Sequence, residues 1–208
     1  MIELFSANTP NGWKISIILE EIGYEYKVTK VDLGKDEQFK PEYLKISPFG
    51  KIPVIIDHEN NKSLFESGAI LMYLADKSGK LYNEKDRLVI NQWLMAQMGT
   101  VGPMIGQHHQ FHHYNSGKSE FGEKRYFDIA KSIYHDLDER LGHSKFLAGE
   151  NYTIADIATW PWIARHEWHD IGLINYSNLS RWYLEISNRP AVIKGYKFMD
   201  KNLEIPLP

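Results

Sequence analysis

The pattern of apolar residues changes near residue 80, and this change limits the possible fold more than any other feature of the chain. Before it, short strand-like runs alternate with helix-like stretches in the order β-α-β and then β-β-α. After the break at Ser78-Gly79-Lys80, apolar residues recur at helical spacing almost to the end. The pattern predicts a small four-stranded α/β layer in residues 1–80 and an all-helical domain in residues 87–208.

Composition narrows the class of protein. The chain has 208 residues, of which 43% are hydrophobic, so it can bury a sizeable core. Its formal net charge of -3 argues against a nucleic-acid partner bound through a basic surface. No run approaches the roughly 18 apolar residues of a membrane span, and residues 1–5 do not resemble a signal peptide. A soluble cytoplasmic protein without a membrane partner is expected.

The chain contains no cysteine. This excludes disulfide bonds, thiolate metal ligands and a thiol nucleophile supplied by the protein itself. Any sulfur chemistry must therefore use sulfur that arrives with a ligand.

Two short runs indicate a ligand site. In Lys51-Ile52-Pro53-Val54, the proline has no N–H to give to a paired strand, which predicts a bend before the strand and raises the possibility of a cis bond. Glu66-Ser67-Gly68 precedes an apolar helical stretch and predicts a helix start, where free N–H groups bind anions. An acidic residue there can also bind an ammonium. The two runs together predict a site for a small, extended zwitterion.

The loop over residues 6–12 joins the first strand to the first helix. Its hydroxyls, its amides and the helix amino end would stabilise a thiolate and lower a thiol pKa from roughly 8.5. A capped turn is the alternative, and the loop alone favours it. Together with the two ligand-binding runs, however, the loop is better interpreted as a site that stabilises a thiolate.

Four histidines, at positions 108, 109, 112 and 113, lie on a predicted helix. The i,i+4 pairs have a spacing that can bind a metal, but neither a catalytic glutamate nor a third ligand is identifiable. We therefore predict no metal site, and we expect these imidazoles to line a cleft or the seam between domains.

Two other features favour structural roles. Arg125, next to Lys124, by itself indicates a solvated surface charge. The spacing of Thr153 and Asp156 predicts a capping box at a helix start, with Asp156 structural.

Taken together, these residues resemble a glutathione transferase over essentially the whole chain. Residues 1–80 resemble that family's thioredoxin-like domain, with Pro53 at its cis-proline and Glu66-Ser67 at its γ-glutamyl motif. Residues 87–208 resemble its all-helical domain. Several segments closely resemble the nu class of glutathione-dependent disulfide-bond oxidoreductases: Thr9-Pro10-Asn11-Gly12, residues 31–35, Gln38-Phe39, Ser47-Pro48 and residues 102–107.

The resemblance implies a set of site residues. Thr9 and Asn11 would be catalytic, in place of the Tyr, Ser or Cys of common transferases, and Ser6, expected at the end of the first strand, is a competing hydroxyl. Glutathione, as cosubstrate, would contact Asn11, Gln38, Lys51, Ile52, Pro53, Glu66, Ser67 and Arg125. In that set, Glu66 would bind the γ-glutamyl ammonium and Ser67 its carboxylate. The Ile52 main chain would pair with the cysteinyl backbone, Lys51 would face the glycyl carboxylate, and Arg125 would reach into the partner subunit's site.

The resemblance also implies a function and an assembly. The leading hypothesis is glutathione-dependent disulfide reduction by a homodimer, with a small disulfide as second substrate. Conjugation of glutathione to small electrophiles is one alternative. A non-enzymatic, transferase-like domain for binding or assembly is another.

Overall fold

The computed structural model describes residues 1–208, which form two compact units. The first unit comprises Met1–Tyr82 and Arg189–Glu204, and the second comprises Asn83–Asn188 and Ile205–Pro208. The change of pattern near residue 80 thus coincides with a change of unit. The segment Arg189–Glu204, which sequence analysis grouped with the helical domain, packs with the first unit.

A four-stranded mixed sheet forms the centre of the first unit. The strands β1 (Ile2–Ser6), β2 (Tyr26–Lys30), β3 (Val54–Asp57) and β4 (Lys62–Phe65) lie in the order β2-β1-β3-β4. The β1–β2 pair is parallel, and the other two pairs are antiparallel. The predicted bend precedes β3, which begins at Val54. Pro53 cannot donate to a ladder, and the Ile52–Pro53 peptide bond is cis.

Four helices belong to the first unit: α1 (Pro10–Ile22), α2 (Pro41–Leu44), α3 (Ser67–Ser78) and α9 (Pro190–Tyr196). The α9 helix packs closely on α1. Ser16 Oγ donates to the Gly195 carbonyl at 2.7 Å, and a Cβ at Gly195 would lie 2.7 Å from the Ile17 Cα. Only glycine permits this approach, which fixes the C-terminal segment on the first unit.

The second unit is helical, as predicted. Its helices are α4 (Arg87–Ala96), α5 (Gly102–His108), α6 (Glu120–Gly142), α7 (Ile154–Ile163) and α8 (Ser177–Ser187). The π-helical turns Gln97–Val101 and His109–Tyr114 extend α4 and α5. The helix that begins after Thr153 ends at Ile163, and a short 3-10 turn follows at His166–Trp168. None of the helices is both long enough and apolar enough to cross a membrane.

Candidate active site

A pocket of about 160 Å³ opens in the first unit where the loop before β3 meets the start of α1 and the start of α3. It brings together most of the residues that the sequence predicted for the site. Its lining consists of Asn11, Ser47, Phe49, Lys51, Ile52, Pro53, Phe65, Glu66 and Ser67. The predicted Thr9 and Gln38 lie outside this lining, and Arg125 belongs to the second unit.

The segment leading into the cis bond is held by side chains beneath it. The Lys51 carbonyl accepts hydrogen bonds from the Tyr43 hydroxyl at 2.9 Å and from Ser47 Oγ at 2.8 Å. The Lys51 N–H donates back to Ser47 Oγ at 3.0 Å. Ile52 itself lies outside the sheet ladder, which begins at Val54. Its main chain can therefore pair with an extended peptide, in the manner of an added strand.

Glu66 and Ser67 form the opposite end of the pocket, at the start of α3. Glu66 precedes the helix with φ of 68°, a left-handed conformation that is rare for a residue other than glycine and often marks a functional site. Its carboxylate is exposed, whereas Ser67 is buried. An acidic group beside the N–H groups of a helix start suits a ligand end that carries both an ammonium and a carboxylate.

Lys14 lies behind Ser67 and was missed by sequence reasoning. Its side chain is 1% exposed, and its Nζ donates to Ser67 Oγ at 3.3 Å. Burial lowers the pKa of Lys14 well below its ordinary value, while attraction to the Glu66 carboxylate opposes part of that shift. The available signal was a lysine within the mainly apolar stretch of residues 13–19, where a charged side chain would face the interior.

The Thr9 hydroxyl caps the start of α1. Its Oγ1 accepts from the Gly12 N–H at 3.2 Å, which leaves the hydroxyl hydrogen available to donate to a ligand. A Cβ at Gly12 would lie 2.3 Å from the Ala7 carbonyl oxygen, so only glycine lets the loop fold this tightly onto the helix. The competing hydroxyl, Ser6, is fully buried at the end of β1.

Gln38 lies in the short 3-10 turn Glu37–Phe39 and is buried. Its Nε2 donates to Asp36 Oδ1 at 3.5 Å, and its Oε1 has no hydrogen-bond partner within the protein. A buried acceptor without a partner is a site that a ligand can satisfy. Arg125 lies on α6 and borders a surface groove of about 410 Å³ in the second unit.

Two of the four histidines, His108 and His109, belong to a buried network inside the second unit, whereas His112 is half-buried and His113 is exposed. Tyr134 Oη bonds His169 Nδ1 at 2.5 Å, and His169 Nε2 bonds His109 Nε2 at 2.8 Å. The His108 ring bonds the His169 carbonyl at 2.9 Å. Burial lowers the pKa of His109 to about 3 and lowers that of His169, so both rings are neutral at pH 7. No group of three or more His, Cys, Asp or Glu side chains is arranged to hold a metal.

Comparison with known proteins places the chain in a family. The profile described as "Glutathione S-transferase, N-terminal domain" matches residues 1–76, and the profile for the C-terminal domain matches residues 102–190. A curated relative, "Disulfide-bond oxidoreductase YfcG" of Escherichia coli, is 46% identical over 198 residues, which are 92% of each chain. The chain therefore belongs to the glutathione S-transferase family, as its motifs predicted.

Solved structures agree in fold and carry ligands. A glutathione transferase from Burkholderia graminis, with two glutathione molecules bound per subunit, superposes with a TM-score of 0.90 at 36% identity and covers 97% of this chain and 89% of its own. A glutathione transferase from Pseudomonas putida, with one glutathione disulfide bound per subunit, has a TM-score of 0.89 and 39% sequence identity. The match covers 95% of this chain and 91% of that protein. The predicted fold class, a thioredoxin-like domain followed by a helical domain, is confirmed.

Proposed function

We propose that this protein is a glutathione-dependent disulfide reductase that works through the thiolate of bound glutathione. The observation that carries the proposal is a pocket built around a cis-proline and the Glu66-Ser67 helix start in a chain without cysteine. The relative named as a disulfide-bond oxidoreductase and the solved structures that hold glutathione or its disulfide support it.

In this proposal, glutathione lies extended across the pocket. Its γ-glutamyl ammonium meets the Glu66 carboxylate, and the adjoining carboxylate accepts from Ser67 and the N–H groups of α3. The cysteinyl main chain pairs with Ile52 beside Pro53. Lys51, which is exposed at the rim, faces the glycyl carboxylate. The Gln38 side chain offers its unpartnered carbonyl oxygen to a ligand donor.

The reaction is a pair of thiol–disulfide exchanges. The glutathione thiolate attacks one sulfur of the substrate disulfide, the sulfur–sulfur bond breaks, and the departing thiolate takes up a proton. A second glutathione thiolate then attacks the mixed disulfide and releases oxidised glutathione and the second thiol. Two glutathiones are oxidised for each disulfide reduced. With no cysteine in the chain, every covalent intermediate is a small molecule. Thr9 and Asn11 are proposed to stabilise the attacking thiolate.

A coupled assay tests the function. The purified protein, supplied with reduced glutathione and bis(hydroxyethyl) disulfide, is expected to turn over well above the uncatalysed exchange, as measured through glutathione reductase and NADPH. Ser67→Ala serves as a matched variant and should raise the KM for glutathione, because it removes a proposed ligand contact. A rate equal to the background, with glutathione demonstrably bound, would overturn the proposal.

Conjugation is a second candidate, because the same thiolate can attack an electrophile and because Phe49 and Phe65 give the pocket an aromatic rim. Turnover with chlorodinitrobenzene, compared with turnover on the disulfide under the same conditions, separates the two reactions. Failure to bind either reduced or oxidised glutathione would instead favour a non-enzymatic binding or assembly domain.

We also propose that the protein is a cytoplasmic homodimer in which Arg125 serves the partner's pocket. The basis is family membership together with the placement of Arg125 on α6 beside a surface groove. Light scattering is expected to give the mass of two chains, and Arg125→Ala should weaken glutathione binding without changing that mass. A mass of one chain would contradict both the homodimer and the role of Arg125 in the partner's pocket.

A further inference from the structure

The peptide unit that joins Lys51 to Ile52 lies in the lining of the candidate pocket and is anchored through its carbonyl alone. That carbonyl, on Lys51, accepts from the Tyr43 hydroxyl at 2.9 Å and from Ser47 Oγ at 2.8 Å. The N–H of the same unit, on Ile52, has no hydrogen-bond partner within the protein. An unpaired main-chain donor in a pocket lining is a group that a ligand acceptor can satisfy.

The two hydroxyls set the direction of that N–H. A trans peptide bond is planar, and its C=O and N–H point in opposite directions. The bond between Lys51 and Ile52 is trans, since Ile52–Pro53 is the one cis bond in the chain. A carbonyl held toward Tyr43 and Ser47 therefore turns the Ile52 N–H away from them. The pocket is lined by Lys51 and Ile52 but not by Tyr43, so this donor is placed to meet a ligand.

Both anchoring hydroxyls are buried, with Tyr43 6% exposed and Ser47 1% exposed. Burial raises the pKa of Tyr43, so its hydroxyl stays protonated and remains a donor. Ser47 Oγ also accepts from the Lys51 N–H at 3.0 Å, so both main-chain groups of Lys51 are paired within the protein. Of these two residues, Ile52 is therefore the one whose main chain is available to a ligand.

We propose that Tyr43 and Ser47 are positioning residues that fix the direction of the Ile52 N–H and thereby select ligands with a peptide carbonyl opposite it. The inference rests on the glutathione-binding mode proposed above, in which the cysteinyl carbonyl would accept from this N–H. It assigns recognition of the ligand main chain to two hydroxyls, of which that of Tyr43 lies outside the pocket lining.

A binding cycle tests the role. Calorimetry measures the affinity of wild type and of the double variant Tyr43→Phe/Ser47→Ala for reduced glutathione and for an analogue with a trans carbon–carbon double bond in place of the cysteinyl–glycyl amide. The analogue keeps the thiol and the charged groups but lacks the carbonyl acceptor. Its missing glycyl N–H affects both proteins alike and cancels in the comparison.

Wild type is expected to prefer glutathione by about 5- to 10-fold, the effect of one hydrogen bond. The double variant should lose most of that preference, mainly through weaker glutathione binding. Tyr26→Phe is the matched control, because it removes a hydroxyl that donates to Glu20 at 2.8 Å, away from the pocket lining. This control should keep the wild-type preference.

The outcomes separate this role from a structural one, since a general loosening of the loop would weaken both ligands alike. If the double variant binds both ligands more weakly by the same factor, or keeps the wild-type preference, the inference is wrong. If that variant does not fold, the amide N–H resonance of Ile52 in the wild type decides. It should shift with glutathione and shift much less with the analogue, and equal shifts would overturn the role.

The measurements also distinguish this role from the proposed function. A wild type that binds glutathione without preferring it to the analogue would overturn the role of the two hydroxyls alone. Absence of disulfide reduction with the preference intact would count against the proposed function alone. A wild type that does not bind glutathione would overturn both.

Discussion

Replacing Thr9 by alanine is expected to lower kcat for disulfide reduction by about 100-fold, the effect of removing one preorganised donor to a developing or reacting anion. The Kd for glutathione should change by less than about threefold, since most of the binding contacts lie elsewhere in the pocket. The reason is the geometry at the start of α1. Oγ1 is fixed as an acceptor from Gly12, so the hydroxyl hydrogen is available to a thiolate.

The same hydrogen bond complicates the alanine variant, because Thr9 also caps α1. Loss of an N-cap costs about 1 kcal/mol of stability, which is separate from any catalytic effect. Two variants resolve this. Thr9→Ser keeps both the cap and the hydroxyl and should retain most activity, whereas Thr9→Asp keeps a capping oxygen but has no hydrogen to donate and should be at least as slow as Thr9→Ala. Equal loss of kcat and of affinity in Thr9→Ala, or full activity in Thr9→Asp, would contradict a role in stabilising the thiolate.

The parts of the site that could be predicted from sequence are those fixed by local backbone chemistry. A proline before an apolar run predicts the bend at Ile52–Pro53, and the Glu66-Ser67-Gly68 run predicts the start of α3. Both statements depend on neighbouring residues only. The same holds for the capping box of Thr153 and Asp156, which the structure contains with both reciprocal hydrogen bonds.

The parts that could not be predicted depend on contacts between distant residues. Lys14 is buried because α1 packs against the sheet and α3, and its bond to Ser67 spans 53 positions of the chain. The C-terminal segment joins the first unit through contacts such as Ser16 to Gly195, 179 positions apart. The histidines at 108, 109, 112 and 113 have a clear helical spacing, but the sequence pattern does not show that His108 and His109 are buried against His169.

Removing the Asp156 carboxylate is expected to have the largest effect on stability. The side chain is fully buried and accepts from the Leu147 N–H at 2.9 Å, the Trp182 indole N–H at 2.9 Å, the Thr153 N–H at 3.0 Å and the Thr153 hydroxyl at 3.2 Å. Asp156→Ala leaves these donors buried without an acceptor, at about 1–3 kcal/mol each before relaxation. We expect a total loss of about 3–5 kcal/mol, measured by denaturant unfolding of the second unit.

Thr153→Ala is the matched control, because it removes only the hydroxyl of the capping box and should cost about 1 kcal/mol. The difference in unfolding free energy between the two variants measures the contribution of Asp156 beyond the helix cap. That contribution comes from the hydrogen bonds that join the start of α7 to the Leu147 main chain and to Trp182 on α8. Three segments of the second unit converge on this one carboxylate, so its loss should loosen all of them together. Equal losses of unfolding free energy in the two variants would mean that Asp156 contributes no more than the helix cap.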